Sequence, residues 1–159
     1  MEHAQLLLEL LYYESPNAIA DIYGSSRYPL LRGLAKFYTT YEEGILISVE
    51  VVGLPDTPES GYNVYGLYIH ENGNCSEDFI YVGDHLNLTD TSHPFHTGDL
   101  PPLLSNNGYA WMAFYDDRFD IEDVLGRSIV IHSLPDLMIA LPSPVADQKI
   151  ACGIITASR

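Results

Sequence analysis

Basic residues are scarce in this chain: seven Lys and Arg stand against 22 Asp and Glu over 159 residues, for a formal charge of −15. The seven are scattered and form no patch, which argues against nucleic acid and anionic membrane surfaces as partners. Cysteine is almost missing. Two residues, Cys75 and Cys152, are too few for a disulfide scaffold or a Cys-based zinc ribbon; they could pair with each other, but their spacing alone does not decide it. No apolar run approaches the length a bilayer requires. The nearest thing to a secretory signal, Leu6-Leu7-Leu8-Glu9-Leu10-Leu11, has no Lys or Arg before it, carries Glu2 where a basic flank belongs and is interrupted by Glu9. From that end of the chain we expect a cytoplasmic location and a short N-terminal extension, residues 1–15, that is helical and packs on the domain or on a second subunit. A homodimer is one assembly this would allow. Internal repeats, linkers and low-complexity tracts are lacking too, so residues 16–159 read as one domain with a full core.

What is present is a period-two pattern punctuated by Gly, Pro, Asn and Asp, the mark of antiparallel strands. In Gly44 to Val52, residues Ile45, Ile47, Val49 and Val51 share one face and Ser48 and Glu50 the other, and the run stops at Gly53-Leu54-Pro55. Further strands are expected over Asn17 to Ile22, Leu34 to Thr40, Val64 to His70, Tyr109 to Tyr115, Arg127 to His132 and Ile150 to Thr156. Seven or eight short strands with no helix between them predict an all-β sandwich or closed barrel. Two stretches lack the pattern, His70 to Gly108 and Ser133 to Lys149, and loops of that length in a compact domain are usually functional.

The first of them holds the chemistry. Five of the six histidines fall between positions 70 and 132, and His85, His93, His96 and Asp99 share one segment. Zn²⁺ takes about four nitrogen, oxygen or sulfur donors in a tetrahedron, and a loop can fold three imidazoles and a carboxylate round it. A lone histidine is usually an ordinary hydrogen-bonding side chain. The run His93-Pro94-Phe95-His96-Thr97-Gly98-Asp99, with His85 before it, is a metal-ligand spacing.

The blocks Gly66-Leu67-Tyr68-Ile69-His70-Glu71, Gly83-Asp84-His85-Leu86-Asn87, His93 with His96-Thr97-Gly98-Asp99-Leu100, Gly126-Arg127-Ser128-Ile129-Val130-Ile131-His132 and Ala151-Cys152-Gly153-Ile154-Ile155 resemble, in order and spacing, the copper,zinc superoxide dismutase family. The resemblance runs from about Asn17 to the C-terminus. It implies an eight-stranded antiparallel Greek-key β-barrel with a long metal-binding loop, zinc on His85, His93, His96 and Asp99, and His85 bridging to copper. It also implies copper on three further histidines, two from a His-x-His pair and one from the Gly-Arg strand. Here those positions hold Tyr68, His70 and His132, so one copper ligand is replaced by a phenol. Positions 68 and 70 lie two apart on a strand and point to one side, and a phenol with pKa near ~10 is a poor copper donor.

The same resemblance places Lys149 where the family has a substrate-attracting Arg; the charge is kept but the planar multi-donor fork is not. It makes Asp136 the carboxylate that links the two metal sites, here between Tyr68 and His93. It also pairs Cys75 with Cys152 as the family disulfide, the alternative being two buried thiols. Two functions of different class follow. In one, copper-dependent dismutation of superoxide, an antioxidant activity, persists weakly, with Lys149 attracting the anion and His85 relaying a proton. In the other, zinc stabilises a structural or interaction module of the same fold that has no redox activity.

Overall fold

The computed structural model describes residues 2–55, 61, 63–92, 95–134 and 147–159. His93 and Asp136 lie outside the described residues. In chain order the elements are α1 (Glu2–Tyr13), β1 (Ala18–Gly24), β2 (Arg32–Thr39), β3 (Ile45–Val52), β4 (Val64–His70), α2 (Ser76–Phe79), β5 (Asp99–Leu104), β6 (Ala110–Asp116), α3 (Ile121–Val124), β7 (Ser128–His132), β8 (Lys149–Ile154) and β9 (Thr156–Ala157). The strands pair in the order β5-β4-β7-β8-β1-β2-β3-β6, with β9 on β1, and every ladder is antiparallel. This sheet curls into a nearly closed Greek-key barrel whose seam lies between β5 and β6.

Alternation sets the core. Ile45, Ile47, Val49 and Val51 of β3 are buried inside with Phe37, Leu67, Ile69, Ile129 and Ile131. The opposite face of β3 departs from the expected polar pattern at Leu46, because α1 lays Leu7, Leu10 and Leu11 over Leu46 and Tyr38. Burying Leu10 there contributes about 2 kcal/mol. No helix among the described residues is long and apolar enough to cross a membrane.

Two sequence expectations are corrected. The stretch from His70 to Gly108, read as lacking strand pattern, contains β5, and the strands are not free of intervening helix, since α3 is a single turn between β6 and β7, whereas α2 is a turn with Glu77, Asp78 and Phe79 at positive φ. The sequence of β5, Asp-Leu-Pro-Pro-Leu-Leu, hides the strand: Pro101 and Pro102 have no N–H to donate, a pattern that only an edge tolerates. In β4 and β7 both faces are covered. Leu67, Ile69, Ile129 and Ile131 point into the barrel, while Tyr68, His70, Val130 and His132 point outward and are also buried. The loop after β4 folds back over that outer face.

Two devices hold the loop there. Its backbone continues the ladder, with Leu86 N donating to Ile69 O at 2.8 Å, Ile69 N to Gly98 O at 2.9 Å and Gly98 N to Leu86 O at 2.8 Å. The approach is so close that a Cβ on Gly98 would stand 2.2 Å from Ile69 O, so only glycine fits. The second device is a disulfide between Cys75 and Cys152, which ties the loop to β8 across 77 residues of sequence. Phe79, Val82 and Val130 pack round it.

Candidate metal centre

Folding the loop onto β4 and β7 brings two groups of donors together, and His85 belongs to both. One ligand atom each from His85, His96 and Asp99 lies within 4.8 Å of the others, and the same holds for His70, His85 and His132. In the first group His85 Nδ1 is 2.8 Å from Asp99 Oδ1, and His96 Nδ1 is 3.2 Å from Asp99 Oδ2. The turn is pinned by His96 N, which donates to Asp99 Oδ2 at 2.9 Å. Burial pushes the Asp99 carboxyl upward. The hydrogen bond and charge of His85, with the N–H and charge of His96, outweigh it, so the group titrates below the usual carboxylate range. Two imidazole nitrogens and an ionised oxygen within 4.8 Å of one another are donors that could hold a metal ion, and zinc is among the ions that take such donors.

The second group shows its fit through its tautomers. His70 Nδ1 is 2.9 Å from Gly83 O, and a carbonyl only accepts, so that nitrogen carries the proton. His132 Nδ1 is 2.7 Å from a carboxylate oxygen of Asp147 and donates in the same way. In the neutral rings each Nε2 then keeps its lone pair, and the two Nε2 atoms face each other at 2.9 Å with ring planes 15° apart. At that distance the two nitrogens either share one proton in an N–H···N hydrogen bond or are joined by a cation that both can bind. A proton is a poor choice at His70, whose pKa is pushed down to about 3: burial is the main cause, the neighbouring His132, His85 and Lys149 add to it, and the Gly83 hydrogen bond opposes it. A metal ion with imidazole affinity fits.

Tyr68 lies beside this group. Its ring stacks on His85 at 4.0 Å between centroids and meets His132 edge-on at 4.6 Å. The phenol lies back along β4: a Cβ on Gly66 would be 2.7 Å from Tyr68 Cε2 and 3.1 Å from its hydroxyl. Glycine at 66, which pairs with His132, therefore makes room for the larger ring.

Lys149 lines the same cavity of about 510 Å³ as His70, His85, His96 and His132, together with Glu71 and Asp84. Among the described residues it is the only Lys or Arg in that lining. Of the residues singled out from sequence, His70, His85, His96, His132, Asp99, Tyr68 and Lys149 converge, and Cys75 and Cys152 are bonded to each other. The placement of His93 and Asp136 is outside the described residues. Sequence reasoning missed Asp147. Its carboxylate holds His132 and also accepts from Leu134 N at 3.3 Å. The signal was its position two residues before Lys149, the strand residue that pairs with His132.

The sequence profile described as copper/zinc superoxide dismutase (SODC) matches residues 31–155. A copper chaperone for superoxide dismutase from Rattus norvegicus is 29% identical over 154 residues, covering 89% of this chain and 53% of that protein. The protein of the same name from Mus musculus is 30% identical over 141 residues, covering 80% of this chain and 49% of its own length. A superoxide dismutase [Cu-Zn] from Francisella tularensis subsp. holarctica (strain LVS) is 28% identical over 125 residues, covering 72% and 65%. The chain thus spans about half the length of the copper chaperones it matches. In fold it is similar to the crystal structure of the clock protein EA4, with TM-score 0.71 and 22% identity, over 91% of this chain and 96% of that one.

Proposed function

Since the chain belongs to the copper/zinc superoxide dismutase family, we propose that it is a metal-binding member with a working zinc site and a copper site reduced to three imidazoles. Zinc would be held by His85, His96 and Asp99 with His93, and would order the loop. Copper would be held by His70, His132 and His85. The observation that carries this reading is the convergence of ring nitrogens of His70, His85 and His132, with Nδ1 of His70 and of His132 each turned to an acceptor so that their Nε2 atoms face each other.

Copper bound there would supply the one-electron chemistry that converts superoxide to oxygen and hydrogen peroxide. The remaining work falls to the chain. Lys149 places a positive charge in a cavity that also holds Glu71 and Asp84, so attraction of an anion is local and weak against a net charge of −15. When no metal is on it, the His85 nitrogen turned away from Asp99 can hold a proton. Asp147 keeps His132 in the metal-binding tautomer. Tyr68 fills the fourth position with a ring that packs on His85 rather than a nitrogen that binds. Dismutation is therefore weak and depends on copper supply.

A second reading keeps the zinc site and drops the redox reaction, leaving a zinc-stabilised structural or interaction protein of the same fold; the packing of Tyr68 on His85 favours it. Copper and zinc content per chain, measured with superoxide dismutation on the same sample, separates the two. Copper-dependent activity well below a full dismutase supports the first. One zinc per chain with no copper uptake and no activity supports the second.

A further inference from the structure

We propose that Arg118 is a positioning residue for the zinc-ligand turn, holding His96 and Asp99 by their backbones across the seam of the barrel. This rests on the reading that those two residues hold zinc. The seam is where the turn most needs support. Its last residue opens β5, and β5 and β6 are the two ends of the strand order, with no ladder between them among the described residues. Pro101 and Pro102 leave β5 with two fewer N–H groups to form one.

Arg118 lies two residues beyond β6 and reaches over that gap. Its guanidinium is aligned by Asp116 at the end of β6: Nε donates to Oδ1 at 3.0 Å and Nη2 to Oδ2 at 2.6 Å, while the backbone N of Arg118 donates to Oδ1 at 2.9 Å. Asp116 is itself buried. With the fork fixed on this side, Nη1 donates to His96 O at 3.2 Å and Nη2 to Asp99 O at 2.9 Å. Those carbonyls belong to the first and last residues of the turn, which is closed by Asp99 N donating to His96 O at 3.0 Å. One planar group thus fixes the spacing between two metal-binding residues from a strand that contributes no ligand. A lysine could not replace it, because a single ammonium cannot hold both oxygens of Asp116 and both carbonyls in one plane.

Without the fork, zinc itself must order the turn, and affinity falls by about 10–100-fold, the usual loss when a partner that orients a metal ligand is removed. The test compares wild type, Arg118→Lys, Asp116→Asn and His96→Ala by chelator competition for zinc and by the visible spectrum of the Co²⁺-loaded protein. Arg118→Lys, which keeps the charge, and Asp116→Asn, which frees the fork, should each lose affinity by that factor and show an altered cobalt spectrum. His96→Ala should lose far more. If His96→Ala collapses zinc binding while Arg118→Lys and Asp116→Asn stay within twofold of wild type with an unchanged spectrum, the positioning role is overturned and the zinc site stands. If His96→Ala also leaves zinc binding unchanged, the zinc reading itself falls.

Discussion

Replacing Tyr68 by histidine should raise copper affinity and dismutase activity together. The strand period aims position 68 at the same side as His70, and Tyr68 already touches the faces or edges of His85 and His132. An imidazole there is shorter than the phenol and leaves unfilled the space over Gly66 now taken by the hydroxyl end. That void costs about 1–2 kcal/mol of stability. The gain is larger. Four-ligand structural zinc sites are worth about 10–16 kcal/mol, so one ligand is worth roughly 3 kcal/mol, or about a hundredfold in affinity. Copper competition titrations should therefore show on the order of a hundredfold tighter binding, with a rise in dismutation per copper bound. Activity will still fall short of a dismutase with an arginine in place of Lys149. The reasoning fails if copper-loaded wild type already dismutates rapidly, or if the variant binds copper more tightly with no gain in rate.

Removal of zinc should lower the melting temperature by about 5–10 °C relative to protein in a hundredfold excess of zinc over its dissociation constant, and His93→Ala should abolish most of that response; an unchanged melting curve after chelation would rule out zinc as a stabiliser. Reduction of Cys75–Cys152, which closes a loop of 77 residues, should cost about 4.5 kcal/mol by loop entropy, read as a fall in urea midpoint for Cys75→Ser against the oxidised protein. The metal-free protein should lose stability as pH falls from about 6.5 toward 3. His70 has its folded pKa pushed down to about 3 by burial, so over that window the unfolded chain takes up a proton that the folded chain refuses. The lowered Asp99 carboxyl acts in the same direction at the acid end. Equal urea midpoints at pH 7 and pH 5 would contradict this, and His70→Asn should flatten the slope.

What the sequence made legible was whatever depended on local period. The inward face of β3, the outward pair Tyr68 and His70, and the ligand run ending at Asp99 all follow from alternation or spacing. What it hid depended on register and on the third dimension. Strand β5 looked like loop because two prolines mask an edge strand. Asp136, which the resemblance makes the carboxylate between Tyr68 and His93, lies outside the described residues, and Asp147, invisible without the β7–β8 pairing, is the acid that holds His132. The face of Tyr68 could be read, but its lie along the strand over Gly66 could not. Arg118 gave no signal, since its carbonyl partners are fixed only once the barrel brings β6 to its seam with β5.

The central claim, that His85 is shared by two metal positions of different kind, is tested most directly by anomalous diffraction at the zinc and copper edges from crystals of protein loaded with both metals. The expected result is a zinc peak among His85 Nδ1, His96 and Asp99, and a separate copper peak on the Nε2 atoms of His70 and His132. Zinc and copper peaks at one shared position, or no peak between His70 and His132 in copper-loaded crystals, would contradict it.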